Sequence, residues 1–185
     1  MKVANGAINY KALPGKISNI TIDAGSKFPG GSDYNKMTVE VPNFHAELGE
    51  NTIDANLMAR NLESDPYVTS GIHTNVNLAT LKNYVPLPKD ETYSGILDAN
   101  VDMKGNVSAA EQGNYEAFDA KGTIDLKNMI YATSTLNEDV TVDHMRLDFS
   151  PSKLDLTELN AKVGGSDFSM KGTISEYFGY LFKER

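Results

Sequence analysis

The stretch Tyr93-Ser94-Gly95-Ile96-Leu97-Asp98-Ala99-Asn100-Val101-Asp102-Met103-Lys104-Gly105 decides the fold. From Leu97 onward, Leu97, Ala99, Val101 and Met103 alternate one for one with Asp98, Asn100, Asp102 and Lys104. Successive side chains of a strand point to opposite faces, so this run predicts a strand with one apolar and one polar face.

The same period recurs on both sides. Ile53, Ala55, Leu57 and Ala59 alternate with Asp54, Asn56 and Met58, and Ile72, Thr74, Val76 and Leu78 with His73, Asn75 and Asn77. Downstream come Phe118-Ala120-Gly122-Ile124-Leu126, then Met145-Leu147-Phe149 and Phe168-Met170-Gly172-Ile174, each read at every second position. One apolar face per strand predicts an antiparallel sheet covered on one side, since buried parallel strands show continuous apolar runs. Leu13-Pro14-Gly15, Phe28-Pro29-Gly30-Gly31-Ser32, Ser150-Pro151-Ser152 and Gly164-Gly165-Ser166-Asp167 supply the turns. One short helix is expected near residues 78–84, with Asn77 as its cap and Pro86 as its stop.

The two ends of the chain resemble each other. Asn5-Gly6-Ala7-Ile8 parallels Lys121-Gly122-Thr123-Ile124, and the run from Val39 to Gly49 parallels the run from Leu154 to Gly164. One copy spans about 1–62 and the second about 118–178, with an intervening segment at about 67–117 that matches neither. In both copies the apolar parity slips by one: Ile17 to Ile20 and Val142 to Met145, then Val41 to Phe44 and Leu156 to Leu159, are steps of three. A slip would turn side chains to the other face unless a β-bulge absorbs the extra residue, and bulges bend a strand. The alternative is plain loops between shorter strands. The expectation is an all-β, curved antiparallel sheet, in one layer or two, built from an internal repeat.

Composition narrows the function classes. The 185 residues carry a net charge of -8, with 40% hydrophobic and 23% charged residues, which is a globular composition. The acidic balance argues against a nucleic-acid partner, which needs clustered Lys and Arg. There is no Cys, hence no disulfide or thiolate metal site. No stretch approaches the ~20 apolar residues needed to span a bilayer. The abrupt apolar end at Tyr177-Phe178-Gly179-Tyr180-Leu181-Phe182 suggests a piece of a longer protein whose membrane anchor lies outside it.

Catalytic chemistry finds little footing. His45, His73 and His144 lie far apart in sequence, each on a polar strand face, with no metal-ligand spacing. Gly164-Gly165-Ser166-Asp167 has no helix behind it and reads as a hairpin turn, not a phosphate loop. Asp98, Asp102, Asp125, Asp148 and Asp155 are spread over polar faces and read as solvation. A non-enzymatic protein without catalytic residue, metal or cofactor is expected.

The block from Tyr93 to Gly105, continued by Ala120-Lys121-Gly122-Thr123-Ile124-Asp125-Leu126, Leu147-Asp148-Phe149-Ser150-Pro151 and Val163-Gly164-Gly165-Ser166-Asp167-Phe168-Ser169-Met170-Lys171-Gly172, resembles the AsmA family. The resemblance runs from about Asp65 to the end and reaches the first sixty residues through the repeat. It is similar to the C-terminal region of those proteins and related to TamB-type periplasmic β-groove proteins. It implies a periplasmic body anchored to the inner membrane, outer-membrane biogenesis, lipid as cargo and outer-membrane assembly proteins as partners.

If the apolar face is left open as a groove for acyl chains, its candidate contacts in the first part are Phe44, Leu48, Ile53, Leu57, Leu97 and Val101. In the second part they are Phe118, Leu147, Phe149, Leu159, Phe168 and Met170. A closed core is the equal alternative at these positions. The rival functions are a structural or adhesion β-sandwich module of the envelope and a carbohydrate-binding module or hydrolase.

Overall fold

A computed structural model describes residues 1–88, 90–112, 114 and 117–177. Ten strands follow the chain: β1 (Lys2–Ile8), β2 (Ile17–Lys27), β3 (Thr38–Leu48), β4 (Asn51–Arg60), β5 (Tyr67–Asn77), β6 (Glu91–Asn106), β7 (Asp119–Thr133), β8 (Val140–Ser150), β9 (Lys153–Val163) and β10 (Ser166–Ser175). Each pairs antiparallel with its sequence neighbour, so the spatial order is the sequence order, and the sheet is curved and unclosed. The all-β expectation holds. The two-layer alternative does not: the ten strands form one sheet.

The parity slips read from the sequence coincide with breaks in register. Ile17 pairs with Ile8 and Ile20 with Gly6; Val41 pairs with Leu57 and Phe44 with Ala55. In both cases one strand advances three residues while its partner advances two. Between Val142 and His144, β8 gains a residue on β9, and between Arg146 and Leu147, β9 gains one on β8. Against β7 the β8 bulge causes no break, because β7 bulges in step at Asn128, which has φ +52°. Asn tolerates this left-handed conformation better than other side-chain-bearing residues. The ladders β4·β5 and β5·β6 run without interruption. Bends therefore flank a regular centre, which is how an ordinary ladder becomes a curved one.

Two short helices close opposite ends of the central strands, where the sequence predicts one. Helix α1 (Leu78–Leu81) starts at Asn77, whose side chain accepts from the Ala79 N–H as anticipated, and its last turn runs on to the Val85 N–H on the Leu81 carbonyl. It packs against β5 and β6. Beyond it, the Tyr84 ring abuts Gly15 and Gly49, leaving no room for a Cβ at either. Helix α2 (Val107–Glu111) was not foreseen. Its first turn is capped from another part of the chain: Asp65 accepts from the Ser108 N–H at 3.3 Å, the Ser108 hydroxyl at 2.8 Å and Asn106 Nδ2 at 2.6 Å.

Little of this molecule is interior. Among the described residues the buried apolar side chains are Ile20, Ala46, Ala109, Leu126, Val142 and Tyr177, and no large side chain is fully buried. A sheet with one apolar face ordinarily buries it beneath a second layer. Here none lies over it among the described residues.

Candidate functional site: the apolar face of the sheet

The bulges keep apolar side chains in phase across the whole sheet. Reading the register from β1, Val3, Ile22, Phe44, Ala55 and Ile72 stand opposite one another in turn. The row continues through Val101, Gly122, Phe149, Leu154 and Ile174, one residue from every strand. At ~4.8 Å between neighbouring strands it runs about 43 Å, longer than the ~30 Å hydrocarbon core of a bilayer. A second row joins Val76, Leu97, Leu126, Met145, Leu159 and Met170. Between the two lies a third, with Ile53, Ala99, Ile124 and Leu147 among its members.

The predicted contacts fall into these rows unevenly. Phe44, Val101 and Phe149 share the longest row; Leu97, Leu159 and Met170 share the second; Ile53 and Leu147 belong to the third. Leu57 lies in a shorter row with Val41, Ser70 and Met103. Phe168 stands opposite Ala161 at the β10 edge. Two sit at the margins. Leu48 ends β3, its carbonyl accepting from Asn51, while Phe118 precedes β7 and packs against Gly105. Ile53, Leu57, Phe168 and Met170 expose 38%, 36%, 48% and 55% of their surface. For strand residues on the apolar face these are high values, because nothing among the described residues lies over them.

One end of the sheet adds a feature the sequence reading missed. In the β2–β3 loop the Phe28 and Tyr34 rings stack at 5.4 Å and both are exposed. At the same end of the strands, on the polar face, Lys27, Thr38, Arg60 and Tyr67 stand in register, and the Arg60 guanidinium sits 4.5 Å over the Tyr67 ring. The sequence signal for it is Phe28 beside Pro29-Gly30-Gly31, which by itself specifies only a turn.

The opposite face is as consistently polar. Thr21, His45, Asp54, His73 and Asn100 form a register row, continued by Thr123, Asp148, Asp155 and Thr173. The three histidines share this face, each held by acceptors. His45 lies 2.7 Å from Asp54 and 3.2 Å from Glu47; His73 lies 2.8 Å from Asn100; His144 lies 3.1 Å from Asp125 and 3.0 Å from Glu158. The hydrogen bonds to Asp54 and Glu47 hold the His45 pKa above the usual histidine value, and that to Asp125 does the same for His144. Reciprocally, His144 and then Lys127 lower the Asp125 pKa. No cluster of acidic, His or Cys side chains suited to a metal ion occurs among the described residues.

An open depression of about 460 Å³ lies around Gly71, lined among others by Asn56, His73, Asn100 and Asp102. Gly71 stands between Asn56 and Asp102 on the polar face, and a Cβ there would come within 2.9 Å of Asn56 Nδ2.

No helix of the described residues is long and apolar enough to cross a membrane. The chain matches no family model, no curated protein and no solved structure.

Proposed function

We propose that this chain is a non-catalytic segment of an AsmA-like protein of the bacterial cell envelope, and that its apolar sheet face holds or conducts lipid acyl chains in the periplasm. The observation that carries the reading is the uncovered face: a row of apolar residues or glycine in every strand, with no second layer among the described residues. Apolar surface of this extent on a water-soluble body marks a binding surface. Transfer of acyl chain onto it is worth ~0.8 kcal/mol per methylene removed from water. The rows cross the strands, so a chain lying along one meets a side chain or a bare glycine at each strand.

In this reading the end of the sheet that carries the stacked Phe28 and Tyr34 rings faces the lipid headgroup region, where rings with one polar and one apolar side settle. Arg60 with Tyr67 lies on the polar face of that same end. Anchorage to the inner membrane through a segment outside this chain, and cooperation with outer-membrane assembly proteins, complete the proposal. They rest on the family resemblance.

The test is native mass spectrometry on detergent-free protein mixed with phospholipid vesicles, beside displacement of a fluorescent acyl probe. The expected result is adducts of phospholipid mass on the wild type. Ile53→Asp and Val101→Asp should lose them while keeping the wild-type circular dichroism spectrum. Absence of any lipid adduct on the wild type would overturn the reading and favour a spacing or adhesion module.

A further inference from the structure

The two edges of the sheet differ in kind. Strand β1 is short, breaks register with β2 on either side of Gly6, and carries Asn5 at φ +54°. Such irregularity blunts an edge against pairing. Strand β10 is ten residues long, every one of them exposed, and breaks register with β9 only between Met170 and Gly172. It contains no proline, and its Phe168, Met170 and Ile174 prolong the apolar face to its margin. An edge of this form presents a row of backbone donors and acceptors ready to accept another strand.

We propose that the occupant is a second copy of this chain, paired antiparallel through β10 about a two-fold axis at Ser169. Directly opposed residues of an antiparallel pair lie on the same face, so a symmetric pairing that keeps apolar with apolar must be centred on a residue. Centred on Lys171, it sets two lysines against each other. Centred on Met170, it places Asp167 against Thr173 and Lys171 against Ser169. Centred on Ser169, Asp167 of each copy meets Lys171 of the other, and Phe168 meets Met170, twice over. Opposite charges and apolar pairs directly across strands stabilise a ladder, and like charges weaken it. The Asp167 carboxylate is 80% exposed with Lys162 at 3.6 Å, so it can turn toward a new partner. A two-fold axis normal to the sheet leaves both apolar faces on the same side, so the dimer doubles that face. The pairing does not depend on what the face binds.

The experiment is sedimentation velocity on the full chain over a concentration series, with charge variants. The wild type should populate a species of twice the 20.2 kDa monomer mass. Asp167→Lys and Lys171→Asp should each be monomeric at concentrations where the wild type is dimeric. Mixed one to one, the two variants should form a heterodimer, because each supplies the charges the other lacks. The chain has no native Cys, so with dissolved oxygen as the oxidant Ser169→Cys should form a disulfide-linked dimer faster than an exposed control, Lys162→Cys. A monomeric wild type at every concentration, single variants that dimerise like the wild type, or no heterodimer on mixing would each overturn the proposal.

Discussion

Phe149 on β8 stands directly opposite Gly122 on β7, and its Cζ lies 2.9 Å from where a Gly122 Cβ would project. The ring occupies the place in the longest apolar row that Gly122 leaves empty. The same Cβ would also strike the backbone carbonyl of Asn100 on β6, which no rotamer change can move. Gly122→Ala should therefore cost about 1–3 kcal/mol by urea denaturation. Truncating the ring should relieve only part of that: in a Phe149→Ala background the alanine should still destabilise. An additive-neutral double mutant would show that the Asn100 carbonyl is not the obstacle.

Stability should peak in mildly acidic solution. His45 and His144 are raised above 6.5 by hydrogen bonds to Asp54 with Glu47 and to Asp125, with Glu158 also facing His144. A raised histidine contributes stability that is complete below its unfolded value and is lost as pH rises through the folded one. Asp125, lowered from 3.8 by His144 and Lys127, contributes stability above that value and loses it as pH falls through its lowered one. The melting temperature should decline on going from pH 6 to pH 8, and His45→Gln with His144→Gln should flatten that decline. A wild-type melting temperature that rises over this interval would contradict the assignment.

Asn51 is buried at 4% exposure, where its side chain ties a hairpin to a helix start. Its Nδ2 donates to the Leu48 carbonyl at 2.9 Å and its Oδ1 accepts from the Asn77 N–H at 2.7 Å. Asn51→Ala leaves both backbone groups without that partner and should cost about 1–3 kcal/mol. Amide hydrogen exchange of Asn77 should accelerate in the variant, and unchanged exchange would sink the explanation.

Asn128 holds the β7 bulge at φ +52° and Asn19 its β2 counterpart at +50°. A β-branched residue at either site meets the full steric cost of the left-handed region, about 1–2 kcal/mol. Asn128→Val should lower the unfolding free energy by that amount in urea denaturation while Asn128→Gly stays near the wild type. Equal effects of the two would mean that the bulge relocates.

Much of the ladder was legible because its signals are local. The alternation from Leu97 to Met103 marked β6, and steps of three at Val41–Phe44 and Leu156–Leu159 marked places where the register does break. Asn77 was readable as a cap because it stands next to the helix it caps. Helix α2 was not readable, since Val107 is a poor helix former and its capping carboxylate, Asp65, comes from the β4–β5 connection. The grouping of His45, His73 and His144 on one face required the β3-to-β8 register, which no single strand specifies. The same holds for the candidate site: parity placed Phe44, Val101 and Phe149 on an apolar face, while only the pairing set them in one row.

The order of side chains along each strand determined by itself that this protein is a sheet with two unlike faces and bends at repeated places. That follows because strand alternation and bulges are properties of a few consecutive residues. Only the tertiary structure decided that the ten strands form one open layer, that its greasy face stays uncovered by the described residues, and that β10 and β1 are unequal edges. What lies over a face depends on where distant segments come to rest, and an alternating pattern reads the same beneath a second layer as beneath water.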